Sequence, residues 1–363
     1  MSKKKNIQKI LIVNPFGIGD VLFSTPLIRN VKKWDPEAQI LYLCNKRVAP
    51  LLTNHPLIDK IFIYERDDFD MTRKKSISKW LMKIFSFLGA IHKERIAILI
   101  DLSMHPQFGF FGKLMGIKKR IGFNYRERGK FLTHKFDLEG FDEKHVAEHH
   151  LDLLRLVNIP VSSKKLELYV SEEDRLWTNK ICRTYGFDDK PLISVAPFGG
   201  ESFGKQELIK RWPLEKYGQL INKIIALHDA RIFLLAGTKE KKEMAQLLSM
   251  IKERDKVYDA TECSITKIAA LVDKSSLIIA NDTGSLRFAN ALNKKIITFF
   301  GPSDDTVYGL YPFDETKHIV LKRNLPCRPC YKKFRLEPCR RNGACLSWIS
   351  VEETYAAVQE LLK

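Results

Sequence analysis

The 363-residue chain has no apolar segment approaching the ~20 residues that a membrane-crossing helix requires. It also lacks low-complexity and Pro/Ser-rich tracts, which excludes a long disordered arm. The basic start Met1-Ser2-Lys3-Lys4-Lys5 leads into an apolar run that breaks at Asn14-Pro15, before a secretory signal would complete its apolar region and cleavage site. A cytoplasmic protein is the expectation. Cysteine is scarce, with seven residues. Cys44, Cys182 and Cys263 are scattered, and disulfides are not expected in such a compartment. Acidic residues are outnumbered, 43 against 61 Lys and Arg, giving a net charge of +18. That surplus attracts anionic partners, whether nucleic acid, a membrane surface or a phosphorylated substrate.

Two nucleotide signatures and one metalloprotease signature are incomplete or missing. The loop Gly17-Ile18-Gly19-Asp20 follows an apolar strand pattern, but Leu22 occupies the third glycine position of a dinucleotide fingerprint. No Gly-Lys-Ser/Thr P-loop follows it. His145 and His149 lie a helical turn apart without forming His-Glu-x-x-His, so metalloprotease chemistry is not expected.

What the chain does contain is two series of alternating strand and helix patterns. Residues 8–13 and 40–44 read as strands around a helix from Asp20 to Lys33. "KIFIY" (60–64) and the fully apolar "IAILID" (96–101) extend the series, the latter suiting a parallel strand covered on both faces. A helix spans His145 to Val157, and another begins near Ser171. The second series runs through "PLISVAPFGG" (191–200), a helix from Pro213 to His228, "RIFLLAG" (231–237), a helix from Lys239 to Ile251, "SITKIAALVDKS", "SLIIAND" (276–282), a helix from Ser285 to Leu292 and "KIITFFG" (295–301). The fold class is therefore α/β, with two doubly wound Rossmann-like domains meeting near 160–190.

Pro15-Phe16-Gly17 after the first strand is echoed by Pro197-Phe198-Gly199 after the first strand of the second half. Ligands of open α/β sheets bind beyond the carboxyl ends of strands, so these loops are expected to line one central cleft. Asp20, at a strand-to-helix junction, reads either as a helix N-cap or as a general base taking a proton from a hydroxyl. Asn281-Asp282-Thr283-Gly284 stands where a strand turns into a helix, a position suited to a diphosphate. Lys210 or Arg211, at the start of a helix after a glycine-bearing loop, can neutralise a departing phosphate, or can simply be solvated.

Together these segments resemble glycosyltransferase family 9, the lipopolysaccharide heptosyltransferases. The resemblance rests on "ILIVNPFGIGDVLFSTPLIRNVKK", "IAILIDL", "KKRIGF", "HVAEHHLDLLRLVNIP", "KRWPLEKYGQL", "LLAGTKE" and "IIANDTGSLRFANALNKKIITFFGPSD", in that order over nearly the whole chain. It implies a GT-B architecture: an acceptor-binding domain over 1–165, a nucleotide-sugar domain over 166–348, and a helix in 349–363 packing back toward the first domain. It further implies inverting transfer without a metal, from a nucleotide sugar, expected to be ADP-heptose, to a phosphorylated, lipid-linked glycan. By the same resemblance Asp20 is the base and Lys210 the diphosphate-neutralising lysine. Phe198, Gly199, Glu240, Asp282, Thr283, Gly284 and Arg287 bind the donor, with Glu240 on its ribose. Arg287 stands where the family often carries His, and a guanidinium there is expected to hold phosphate. Gly19, Lys118, Lys119, Arg120 and Arg126 are expected to meet the acceptor.

Other features are ambiguous. Asp68-Phe69-Asp70 fits the Asp-x-Asp pattern of metal-dependent glycosyltransferases, but a solvated loop is expected. The stripe Ile77, Trp80, Leu81, Ile84, Leu88 and Ile91, with Lys75, Lys79 and Lys83 nearby, reads as core, or as a peripheral contact with an anionic inner membrane. Cys327, Cys330, Cys339 and Cys345 form either a structural metal site or free thiols, the second pair being wider than a usual knuckle. On charge alone, a non-catalytic nucleic-acid-binding protein competes with the transferase. Zinc-finger spacing, an RNP motif and a basic heptad region are all missing.

Overall fold

The computed structural model describes residues 8–199 and 201–363, so the basic start Met1–Lys5 and Gly200 lie outside the described residues. The chain divides into two compact units. One holds the residues up to Phe141 together with Val146–Lys165, and the other Asp142–His145 together with Leu166–Lys363.

Among the described residues the first unit contains six parallel strands: β1 (Lys9–Val13), β2 (Gln39–Cys44), β3 (Lys60–Ile63), β4 (Ile98–Asp101), β5 (Lys119–Tyr125) and β6 (His134–Leu138). They lie in the order β3-β2-β1-β4-β5-β6. β1, β2 and β4 are almost wholly buried, as continuous apolar runs covered on both faces must be. The order reverses between β1 and β4, so the loops leaving these two strands flank the switch point of the sheet.

The helical pattern from Asp20 to Lys33 is two helices, Ile18–Phe23 and Thr25–Trp34, divided at Ser24. Pro26 disfavours a continuous helix because its ring clashes with the turn before it. The Ser24 and Thr25 hydroxyls instead donate to the Val21 and Leu22 carbonyls, each at 2.7 Å. Buried Asn30 holds the returning segment by accepting from Ser162 N (2.7 Å) and Ser163 N (3.0 Å) and donating to Ser163 O (2.7 Å).

The second unit repeats the arrangement with β7 (Leu192–Ala196), β8 (Arg231–Leu234), β9 (Val257–Asp259), β10 (Leu277–Asn281), β11 (Lys295–Phe299) and β12 (His318–Leu321). Their order is β12-β11-β10-β7-β8-β9, all parallel, with the switch between β7 and β10. Its helices begin where the sequence places short polar caps. Ser171 accepts from Asp174 N at 3.0 Å, and Ser350 from Glu353 N at 3.0 Å.

Three features differ from the sequence reading. Asp68-Phe69-Asp70 lies inside the helix Arg66–Lys75, where Asp70 pairs with Arg66 at 3.6 Å, rather than in a loop. The helix Ile77–His92 is not a core helix, since Ile91 is its only buried residue and Ile77 and Leu81 are exposed. The closing helix Val351–Leu362 contributes buried Val351, Tyr355, Val358 and Leu361 to the second unit's own core. β5 is interrupted by Gly122, which hides it from an apolar-run search. A Cβ there would come 2.5 Å from the Asp101 carbonyl, so the two strands can adjoin only through glycine.

Trp212 centres the second core. It stacks on Phe299 at 4.6 Å, meets Tyr217 edge-on at 4.9 Å, and its indole N–H donates to Ile349 O at 3.1 Å. Replacing Trp212 by Ala is expected to lower the stability of the chain by about 3–5 kcal/mol, read as a shift of the urea midpoint. Trp212→Phe, which keeps a ring but not the donor, is expected to cost less.

Candidate active site

Buried Asn281, the last residue of β10, joins three segments. Its Oδ1 accepts from Trp212 N and from the Tyr217 hydroxyl, both at 3.0 Å, and its Nδ2 donates to Pro197 O at 2.7 Å. The strand end is thereby tied to the loop leaving β7 and to the start of the helix Leu214–His228. Asp282 follows, 8% exposed, and is gripped from two sides. Lys210 Nζ lies 2.6 Å from Oδ2, Ser303 donates to the same oxygen at 3.0 Å, and Arg287 pairs with Oδ1. Burial pushes the Asp282 carboxyl up, but the charges of Lys210 and Arg287 and the hydrogen bonds from Lys210 and Ser303 outweigh it and hold the carboxyl below its ordinary value.

Thr283 caps the helix Gly284–Ala291, its hydroxyl accepting from Leu286 N at 3.5 Å. The first amides of that helix therefore face outward beside Asp282. Gly199 fits against the same residue. It takes a left-handed φ of 98°, and a Cβ on it would come 2.4 Å from Thr283 Cγ2. No other residue type fits there without displacing the loop. Glu240 braces the approach, its Oε1 accepting from Gly199 N at 2.9 Å and its Oε2 from Gly237 N at 2.8 Å. Arg211 donates to Gly199 O at 2.7 Å and lies 3.8 Å from Glu240.

The structure thus brings together Gly199, Lys210, Glu240, Asp282, Thr283, Gly284 and Arg287. Two side chains differ from expectation. Arg287 is buried and committed to Asp282 and to the Gly309 carbonyl (2.8 Å), because the carboxylate beside it needs a second cation. Phe198 packs its ring into the core under Arg211, which leaves its main chain to line the loop.

In the first unit, Asp20 is the third residue of the helix Ile18–Phe23 and not its cap, a position held by Gly17. Asn14, fully buried, donates to the Asp20 carbonyl at 3.0 Å and fixes this turn to β1. A Cβ on Gly17 would meet Asp20 Oδ2 at 3.7 Å and Arg47 Nη2 at 3.8 Å, so carboxylate and guanidinium lie over the same glycine. Gly19 belongs to the same helical turn.

The expected acceptor cations are divided by strand direction. Arg126 follows the carboxyl end of β5, as Asp20 follows that of β1, and its guanidinium lies 5.0 Å from the Tyr125 ring. Lys118, Lys119 and Arg120 stand at the amino end, since Lys119 pairs with Ile98 and Ile98 with Ile10. Arg120 is spent on main-chain carbonyls, donating to Phe131 O at 2.7 Å and to Ile117 O. These three are therefore not beside Asp20, a correction that follows from the extra strand β5.

Arg47 and Asp101 join the residues that the structure places at these strand ends. Arg47 carries no local signal. Asp101, the last residue of β4 and the partner of Val13, was visible as the carboxylate ending an apolar run. It is buried and accepts from Ser103 N at 2.9 Å, and burial pushes its carboxyl up to about 6.

The cysteine segment is a short antiparallel hairpin, Tyr331–Lys332 against Arg335–Leu336. All seven cysteines are free, and among the described residues no group of three or more His, Cys, Asp or Glu is arranged to hold a metal ion. The segment is anchored otherwise. Arg328 donates to Gly301 O at 2.8 Å and to Asp305 at 2.7 Å, while Cys339 accepts from Gly343 N at 3.2 Å. Burial, with neighbouring thiols adding, pushes Cys345 up to about 11.

A carboxyl that holds its proton more tightly folded than unfolded withdraws stability as pH rises through its folded value. The Asp101 contribution is thus full below the ordinary value of 3.8 and is lost as pH climbs through about 6. Asp101→Asn is expected to flatten the stability profile between those values by at most about 3 kcal/mol, measured by urea unfolding across that range.

A family model described as "Glycosyltransferase family 9 (heptosyltransferase)" matches residues 84–340. Lipopolysaccharide heptosyltransferase 1 of Campylobacter coli is 22% identical over 314 residues, covering 81% of this chain and 84% of that one. Lipooligosaccharide heptosyltransferase 2 of Campylobacter jejuni is 24% identical over 366 residues, covering 98% and 99%. Among solved structures, E. coli ADP-heptose heptosyltransferase II has a TM-score of 0.75 at 20% identity over 98% of both chains. E. coli heptosyltransferase WaaC, solved with ADP, has a TM-score of 0.71 at 16% identity, covering 98% and 100%.

Proposed function

From the premise that the chain belongs to glycosyltransferase family 9, the heptosyltransferase family, we propose that it moves heptose from ADP-heptose to a phosphorylated lipopolysaccharide-core glycan. Transfer inverts the anomeric centre and uses no metal. The observation that carries this reading is the buried Lys210–Asp282–Arg287 group beside Gly199 and the first turn of the helix Gly284–Ala291. An ADP-bound WaaC of the same fold supports it.

In this reading the Lys210 ammonium spends one of its three N–H donors on Asp282 and turns another to the donor's diphosphate. The outward amides of the helix Gly284–Ala291 take further phosphate oxygens. Glu240 keeps lone pairs for the ribose hydroxyls beyond those used by the Gly199 and Gly237 amides. Asp20 takes the proton of an acceptor hydroxyl as that oxygen bonds to the anomeric carbon. The bond from that carbon to the diphosphate oxygen breaks on the opposite face, its electron pair leaving with ADP, whose new charge Lys210 stabilises. Gly19, Arg47 and Arg126 are the acceptor-side groups, Arg126 and Arg47 suiting phosphates on the glycan.

Incubation with a panel of ADP-, UDP- and GDP-sugars and lipopolysaccharide precursors is expected to give a heptose-sized mass increase from ADP-heptose alone. The new linkage should have the anomeric configuration opposite to the donor's, read by NMR coupling. Asp20→Asn is expected to lower kcat by about 10²–10⁴-fold with little change in KM for the donor. Lys210→Gln should lower kcat by about 10²–10³-fold and weaken ADP binding. Unchanged turnover in Asp20→Asn removes that residue as the base.

A further inference from the structure

The helix Ile77–His92 is richly apolar yet buries only Ile91. One side of it is partnered. Phe87 meets Tyr64 at 5.9 Å and Phe69 at 5.8 Å, while Arg73 lies over Trp80 at 5.6 Å and Lys83 over Phe69 at 4.7 Å. These contacts close the helix onto its neighbour Arg66–Lys75. The other side is bare. Ile77 is 68% exposed, Leu81 41% and Phe85 70%, at helical spacing i, i+4, i+8, with Met82, 68% exposed, beside them.

The charge around this stripe has one sign. From Met71 to Lys93 the sequence has no Asp or Glu, while Arg73, Lys74, Lys75, Lys79, Lys83 and Lys93 supply one-third of the chain's net charge of +18. The acidic residues of the helix Arg66–Lys75 are in its first turns, Asp67 and Asp68 among them, and Arg73, Lys74 and Lys75 form its last. Lys74, Lys75 and Lys79 are exposed where the two helices meet.

We infer that the exposed stripe Ile77-Leu81-Met82-Phe85, edged by Lys74, Lys75 and Lys79, is a docking surface for an anionic lipid bilayer. A large exposed apolar stripe marks an interaction site. A protein partner would favour an interface core poor in lysine, whereas acidic headgroups match a lysine border. At 16 residues the helix is about 24 Å long, too short to span the hydrocarbon and suited to lying in the headgroup plane. Among the described residues no helix is long and apolar enough to cross a membrane. The apolar side chains enter the acyl boundary and the lysines meet lipid phosphates.

Sedimentation of the full chain with vesicles of phosphatidylcholine alone, or mixed with phosphatidylglycerol, tests this. Binding is expected on the mixed vesicles, falling with added salt, and at least about tenfold weaker on phosphatidylcholine alone. The combined variant Lys74→Gln/Lys75→Gln/Lys79→Gln is expected to bind about a hundredfold more weakly. Met82→Ser/Phe85→Ser should lose about tenfold, with the thermal unfolding of both variants unchanged because the substituted side chains are exposed. Binding indifferent to phosphatidylglycerol, or wild-type affinity in either variant, overturns the inference. So does self-association without vesicles that Met82→Ser/Phe85→Ser abolishes, since the stripe would then be covered by a second copy. The readout needs no sugar donor, so its outcome is separate from that of the transferase assays.

Discussion

The candidate site of the second unit depends on one buried carboxylate. Asp282 lies between Lys210 and Arg287, and neither cation could remain so enclosed without it. Removing one member of such a group leaves an uncompensated buried charge at a cost of about 3–5 kcal/mol. The arrangement therefore constrains the loops around it. Lys210 must arrive from the segment before Trp212, Ser303 from beyond β11 and Arg287 from the next helical turn. Asn281, one residue earlier, enforces the same convergence with uncharged hydrogen bonds. The site is preorganised because its polar groups are already satisfied by one another.

Much of the fold was legible because parallel sheets bury their strands on both faces. "ILIV", "ILYLC", "LISVA" and "SLIIAN" are continuous apolar runs, and no other structure suits them between helical patterns. β5, β6, β9 and β12 are not legible in this way for the converse reason. They are short, or half-exposed, or carry Gly122, and their identity comes from neighbours they pair with rather than from their own residues. Lys118, Lys119 and Arg120 follow the apolar run of β4 in sequence, yet they stand at the amino end of β5, away from the carboxyl ends of the strands.

The site was legible to the degree that its residues are local. Asp282, Thr283 and Gly284 are consecutive, and their strand-to-helix position can be read directly. What sequence could not supply is the state of each group. Arg287 looks like a phosphate ligand until Asp282 is seen beside it, and Phe198 looks like a loop residue until its ring is seen in the core. Arg47 has no sequence neighbour in the site at all. It reaches Gly17 only because β2 lies next to β1.

The two sheets share one strand order, and in each an aspartate stands near the carboxyl end of the fourth strand: Asp101, level with the last residue of β1, in one, and Asp282, just beyond β10, in the other. Their surroundings then part company. Burial pushes the Asp101 carboxyl up to about 6, whereas Lys210 and Arg287 outweigh burial at Asp282 and hold its carboxyl below the ordinary value. A backbone plan used twice thus carries, near the same end of its fourth strand, one carboxyl whose ionisation burial opposes and one whose ionisation two neighbouring cations favour.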